Sequence, residues 1–141
     1  MALANSCALH EKANPPALIF TSFAGYTAEQ DVKRINRYCK DNGIMTIEDA
    51  SAGIGDEKHN LGLLSDIILA STGSPKMINV GSGGLIAAND EEIFKKTSLP
   101  QKLSKTSQIV CRGIDNEIDN VGKNLELSLN ATDYVKKHIE K

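Results

Sequence analysis

The sequence has no tryptophan, few other aromatic residues and no long apolar run. Aromatic residues make up 4% of the 141 residues. No apolar stretch approaches the roughly 18 residues of a membrane span, so we expect no membrane association. Residues 1–5 lack both a basic start and a long apolar segment, and we therefore expect no secretory signal peptide.

Cysteine and clustered positive charge are also scarce. The cysteines, Cys7, Cys39 and Cys111, are odd in number, widely spaced and without a CxxC pair, which favours reduced thiols and a cytoplasmic location. The formal net charge is −2 and the basic residues are scattered along the chain, so we expect no nucleic-acid partner. The three histidines have no metal-ligand spacing and no convincing carboxylate partners, so no metal site is predicted.

The first half of the chain alternates between strand-like and helix-like patterns. Residues 16–22 form an apolar run typical of a buried strand. Residues 27–30 show a capping-box pattern, which predicts a helix from there to the stop at residues 42–43. Residues 44–48 and 66–70 are two further strand-like runs, so the first of them completes a βαβ unit with a right-handed crossover.

The second half predicts one more strand and a helical tail. Residues 85–88 follow the third strand after a short return, which favours antiparallel pairing. Asp90 caps a predicted short helix over residues 91–96, residues 109–110 are strand-like, and a helix is expected from about Asn124. We therefore predict an α/β fold: a partial three-layer α/β/α sheet of mostly parallel strands, with a final antiparallel strand and a helical C-terminal tail.

A lysine and an aspartate follow neighbouring predicted strands. Asp49 closes the second strand, and Lys76 lies in the loop after the third. Because parallel strands end at the same edge of a sheet, the two side chains could face opposite ends of one ring. A lysine amine condenses with the aldehyde of pyridoxal phosphate, and a carboxylate keeps the ring nitrogen protonated. The pair predicts a Schiff-base site, whereas a solvated lysine and a turn-forming aspartate are the alternative.

Four motifs in this order resemble the DegT/StrS family of pyridoxal-phosphate-dependent sugar aminotransferases, a branch of the aspartate aminotransferase fold (fold type I). They are Glu48-Asp49-Ala50, Ser71 five residues before Lys76, Gly81-Ser82-Gly83-Gly84, and Gly122-Lys123-Asn124-Leu125. The resemblance runs from about residue 16 to residue 141 and matches the central portion of the family's large domain. Residues 1–141 are therefore expected to be a single partial domain.

The resemblance implies roles for individual residues. Lys76 would be the catalytic residue, and Asp49, Ser71, Lys76 and Asn124 would bind the cofactor. Asp49 would pair with the pyridine nitrogen, Ser71 with the phosphate, and Asn124 with the phosphate held by the neighbouring subunit of a homodimer. The implied reaction transfers an amino group from a small-molecule donor, glutamate, to a keto sugar nucleotide.

A second interpretation remains open. Ala52 stands where the family commonly has His or Gln, and Ser82 replaces the usual acidic residue. The upstream and downstream segments of family members have no counterpart in these residues, so the alternative is a non-catalytic α/β remnant that serves as an interaction or regulatory module. The outer strands of the predicted sheet would lack neighbours, which predicts self-association.

Overall fold

The computed structural model describes residues 16–24 and 28–139. The strands and helices in these residues are, in chain order, β1 (Ala17–Thr21), β2 (Phe23–Ala24), β3 (Ala28–Glu29), α1 (Val32–Asp41), β4 (Met45–Asp49), β5 (Ile67–Ser71), β6 (Gly84–Ala88), α2 (Glu91–Lys96), α3 (Ser98–Leu103), α4 (Gln108–Ile118) and α5 (Val121–His138).

One four-stranded sheet has the order β1-β4-β5-β6. β1, β4 and β5 are parallel, and β6 runs antiparallel to β5. The parallel pair β1–β4 requires a crossover, which α1 provides, whereas residues 72–83 simply reverse the chain between β5 and β6. The predicted α/β class, with mostly parallel strands and a last antiparallel one, is confirmed.

The first helix begins later than the capping-box pattern predicted. Thr27 lies outside the described residues, but Ala28 and Glu29 form the short strand β3, which pairs antiparallel with β2. α1 begins at Val32, where the Asp31 side chain accepts a hydrogen bond from the Arg34 backbone N–H at 3.0 Å. The prediction of a start at residues 27–30 is therefore wrong, because Asp31 is an equally good N-cap and Glu29 is engaged by the β2 strand.

The hydrophobic core lies between the sheet and α1. Phe20 of β1, Val32 of α1 and Leu61 of the segment before β5 form a buried cluster, with Leu18 and Ile35 packed against it. The two α1 residues of this cluster are spaced three apart, so one helix face covers one face of the sheet.

The opposite face of the sheet is less covered. Ile19, Ile47, Ile67 and Ala88 lie in register across the four strands, and Ile19 is 71% exposed. Side chains alternate between the two faces of a strand, so Asp49 shares this more open face with Ile47. β1 and β6 are the outer strands, and within the described residues neither has a neighbour on its outer side.

The described part of the tail after β6 consists mainly of the helices α2, α3, α4 and α5, joined by short turns. Asp90 caps α2 as predicted, its side chain accepting from the Glu92 backbone N–H at 2.9 Å. Ile109 and Val110 lie in α4, so their strand-like interpretation is wrong; the Ser107 side chain caps this helix. α5 begins at Val121, slightly before the predicted start, where Val121 is buried. Within the described part of the chain, no helix is long and apolar enough to cross a membrane.

Candidate active site

Asp49 is the last residue of β4, and a tight turn holds its carboxylate. Its Oδ1 accepts a hydrogen bond from the Ser51 backbone N–H at 3.0 Å, while its backbone carbonyl accepts from the Ser22 N–H at 3.1 Å. No described residue donates a hydrogen bond to Oδ2. The half-buried carboxylate therefore has a fixed direction and one oxygen available to a ligand.

Ser71 ends the neighbouring strand, β5, on the same face of the sheet. Asp49 is in register with Leu69, two residues before Ser71, so the two polar side chains lie at the same carboxyl edge. The Ser71 hydroxyl oxygen accepts from the Gly73 N–H at 3.3 Å, and no described residue accepts the hydroxyl proton. Like the Asp49 carboxylate, the Ser71 hydroxyl thus retains hydrogen-bonding capacity.

Asp49 and Ser71 line one open cleft of about 780 Å³. Its volume lies within the range of about 300–1,000 Å³ that is usual for small-molecule sites. Leu69 and Ile86 form part of its floor on the sheet, and Lys105 supplies a positive charge from the segment before α4. Neither Lys76 nor Asn124 is among the lining residues.

Lys76 lies in the loop between β5 and β6, whose base is closed by Thr72. Thr72 is completely buried. Its backbone N–H donates to the Gly83 carbonyl at 3.1 Å, and its hydroxyl donates to the Ser82 carbonyl at 2.7 Å. Lys76 itself is half-buried, and in the described residues it has no hydrogen-bond or ion-pair partner. The loop is therefore anchored at its base, and no described residue engages the lysine amine.

The glycines of residues 81–84 have a structural role, which is clearest at Gly83. Gly83 has a φ of +87°, a conformation that side chains disfavour, and a Cβ there would lie 2.9 Å from Cγ1 of Val110. Glycine therefore permits both the turn into β6 and the approach of α4.

Asn124 contacts the lysine loop of its own chain. Its side-chain Nδ2 donates to the Met77 carbonyl at 3.2 Å, which ties α5 to the residue after Lys76. The structure thus brings Asn124 close to the lysine loop, and brings Asp49 and Ser71 together in the cleft. The contact of Asn124 with a neighbouring subunit's phosphate stays a prediction.

Sequence reasoning missed Glu48, which is completely buried on the other face of β4. Its carboxylate accepts hydrogen bonds from the Gly62 backbone N–H and the Ser65 hydroxyl, each at 2.8 Å. Ser65 in turn accepts from the Asn36 side chain of α1 at 3.0 Å. The network joins β4, α1 and the segment before β5 directly behind Asp49. Strand alternation placed Glu48 opposite Asp49, but nothing in the sequence identified its partners.

His59 has carboxylate partners that the sequence analysis did not find. Its Nδ1 lies 2.7 Å from Oδ2 of Asp56, and its Nε2 lies 3.7 Å from Oε1 of Glu29. Partial burial raises the pKa of Asp56, but hydrogen bonds from the His59 side chain and backbone outweigh this and hold that pKa below its ordinary value. The separation of three residues between Asp56 and His59 was the one feature of the sequence from which this side-chain pair could have been predicted. Within the described residues, no group of three or more His, Cys, Asp or Glu side chains could hold a metal ion.

Comparison with known sequences identifies the family of the chain. The profile of the DegT/DnrJ/EryC1/StrS aminotransferase family matches residues 8–128. The chain belongs to this family. It is also similar to an uncharacterized protein of Methanocaldococcus jannaschii, with 31% identity over 85 residues, which is 59% of this chain and 22% of that protein. The matched region therefore spans about a fifth of the relative's length. Members of this family are in general aminotransferases that depend on pyridoxal phosphate.

Proposed function

We propose that this chain carries part of the pyridoxal-phosphate site of an aminotransferase. The observation that carries the proposal is the shared cleft of Asp49 and Ser71 at the carboxyl edge of the sheet, in a chain of this family. The cleft offers an oriented carboxylate, an available hydroxyl and the cation of Lys105. These groups fit a ligand that has a basic ring nitrogen at one end and a phosphate at the other.

Each residue has a defined task in this proposal. Asp49 would accept a hydrogen bond from the ring nitrogen and keep it protonated, and Ser71 would donate to the phosphate. When bound, the cofactor supplies an aldehyde that takes up the amino group and a ring that withdraws electrons. The Lys76 amine would hold the cofactor and then move a proton between the substrate carbon and C4′ of the cofactor. Asn124 would contribute to the phosphate site of a partner subunit.

The substrates and the assembly are proposed from the family. The amino donor would be glutamate and the acceptor a keto sugar attached to a nucleotide. A homodimer is supported by the outer strands β1 and β6, which lack outer neighbours among the described residues, and by exposed apolar side chains such as Ile19 and Ile109. We expect the chain to elute from a sizing column ahead of a compact monomer; elution as a monomer at high concentration would contradict this.

One observation favours the alternative of a non-catalytic interaction or regulatory module. Lys76 does not line the cleft that contains Asp49 and Ser71, so the amine is not part of the cleft that holds the carboxylate. The buried network around Glu48 would stabilise the fold whether or not a cofactor binds. The two functions differ in whether the chain binds pyridoxal phosphate through Lys76.

Cofactor titration tests the proposal. Pyridoxal phosphate is added to the purified chain, visible absorbance is followed, and the product is reduced with borohydride and mapped by mass spectrometry. We expect an absorbance band and a modification at Lys76, both lost in Lys76→Ala. Lys102→Ala is the matched control, because Lys102 is exposed on α3 and outside the cleft. Modification spread over several lysines, or a band that persists in Lys76→Ala, would contradict the proposal.

A further inference from the structure

Ser51 contacts both of the residues that meet in the cleft. Its backbone N–H donates to Oδ1 of Asp49 at 3.0 Å, and its hydroxyl oxygen accepts from the Ser71 backbone N–H at 2.8 Å. Ser51 also lines the cleft. It therefore joins the ends of β4 and β5 at the point where the candidate site is formed.

The Ser51 hydroxyl has one hydrogen-bonding function left. A serine hydroxyl combines one donor with two acceptor lone pairs. The Ser71 N–H occupies one lone pair, and no described residue accepts the proton. A hydroxyl donor that lines a cleft together with Ser71 and the cation of Lys105 is suited to an anionic oxygen.

We propose that Ser51 is a further cofactor-binding residue, which positions the Ser71 backbone and donates its hydroxyl proton to the cofactor phosphate. This inference rests on the proposed function. The phosphate is the expected acceptor because the Ser51 hydroxyl is bonded to the Ser71 backbone, at the end of the site where Ser71 would bind phosphate. The Asp49 contact comes from the Ser51 backbone and does not depend on its side chain.

The positioning part is tested without any ligand. Ser51→Ala removes the acceptor of the Ser71 N–H, so hydrogen exchange of the Ser71 amide in the unliganded chain should accelerate at least tenfold. Ser98→Ala is the matched control, because Ser98 is exposed on α3 and its side chain makes no contact with the cleft. An unchanged Ser71 exchange rate in Ser51→Ala would overturn the positioning role.

The phosphate contact is tested by comparing pyridoxal phosphate with pyridoxal, which lacks the phosphate. Visible absorbance titration gives the Kd of each for the full chain, Ser51→Ala and Ser98→Ala. We expect Ser51→Ala to raise the Kd of pyridoxal phosphate about tenfold, equivalent to about 1.4 kcal/mol, and the Kd of pyridoxal less than twofold. Ser98→Ala should change neither.

The possible results separate this inference from the proposed function. Equal weakening of both ligands in Ser51→Ala would show a purely structural role and overturn the phosphate contact alone. If the unsubstituted chain binds neither ligand, the proposed function fails and the phosphate contact fails with it, while the exchange experiment still decides the positioning role.

Discussion

Replacement of Glu48 gives the most direct test of the network behind the candidate site. Glu48 is completely buried, and its carboxylate accepts hydrogen bonds from the Gly62 backbone N–H and the Ser65 hydroxyl. Glu48→Ala would leave both donors in the interior without an acceptor. Glu48→Gln would keep the side-chain volume and change only the charge and the hydrogen-bonding pattern.

The two variants should differ clearly in stability. A hydrogen bond to a charged group contributes about 1.5–3 kcal/mol, so loss of both in Glu48→Ala should lower the free energy of unfolding by about 3–6 kcal/mol. In Glu48→Gln, the amide oxygen can accept from the Gly62 N–H and the amide N–H can donate to the Ser65 oxygen, so only the Ser65 hydroxyl proton is left without an acceptor. We therefore expect a loss of about 1–3 kcal/mol, smaller than that of Glu48→Ala.

Urea denaturation followed by far-UV circular dichroism measures both changes. Glu126→Ala is the control, because Glu126 is exposed on α5 and its side chain makes no hydrogen bond with any described residue. It should stay within about 0.5 kcal/mol of the unsubstituted chain. The reasoning is refuted if Glu48→Ala is as mild as Glu126→Ala, or if Glu48→Gln is as severe as Glu48→Ala.

Three further variants test single contacts. Asp31→Ala removes the N-cap of α1 and should lower the free energy of unfolding by about 1 kcal/mol, measured by urea denaturation. Asp56→Asn removes a carboxylate whose pKa is lowered in the folded chain by its hydrogen bonds with His59. Its stabilising effect should be present above about pH 4 and disappear as the pH falls further, so the stability difference between the two chains should shrink on acidification. Thr72→Val removes the hydroxyl bond at the base of the lysine loop and should cost about 1 kcal/mol and accelerate amide exchange in residues 72–83.

Each of these variants has a control on an exposed helix. Asp115→Ala, Asp133→Asn and Thr132→Val make the same chemical changes at exposed side chains, which form no hydrogen bond or ion pair outside the local helix among the described residues. An Asp31 or Thr72 variant that is no less stable than its control would contradict the assigned contact. For Asp56→Asn, the assigned contact would be contradicted if the difference in stability from the unsubstituted chain stayed constant from pH 7 to pH 2.

Local pattern was sufficient to predict most of the elements. Two local features predict the strands: the spacing of apolar residues indicates β1, β4, β5 and β6, and the short connection before β6 indicates its antiparallel pairing. Both features depend only on residues close in sequence. The start of α1 was mispredicted because the capping-box pattern at residues 27–30 lies just before Asp31, which is the N-cap in the structure. Strand pairing of Glu29 with Phe23 decides between these two positions, and that pairing is a tertiary property.

The sequence by itself determined the order of Asp49, Ser71 and Lys76 along the chain and the sheet edge at which the first two lie, because parallel strands carry their last residues to one side. Only the tertiary structure decided which groups meet there. Ser51 and Ser71 are 20 residues apart, Glu48 and Ser65 are 17 apart, and Asn124 and Met77 are 47 apart. Such contacts depend on how the crossovers and loops pack. A pattern of neighbouring residues does not predict the distance between two side chains that are far apart in the sequence.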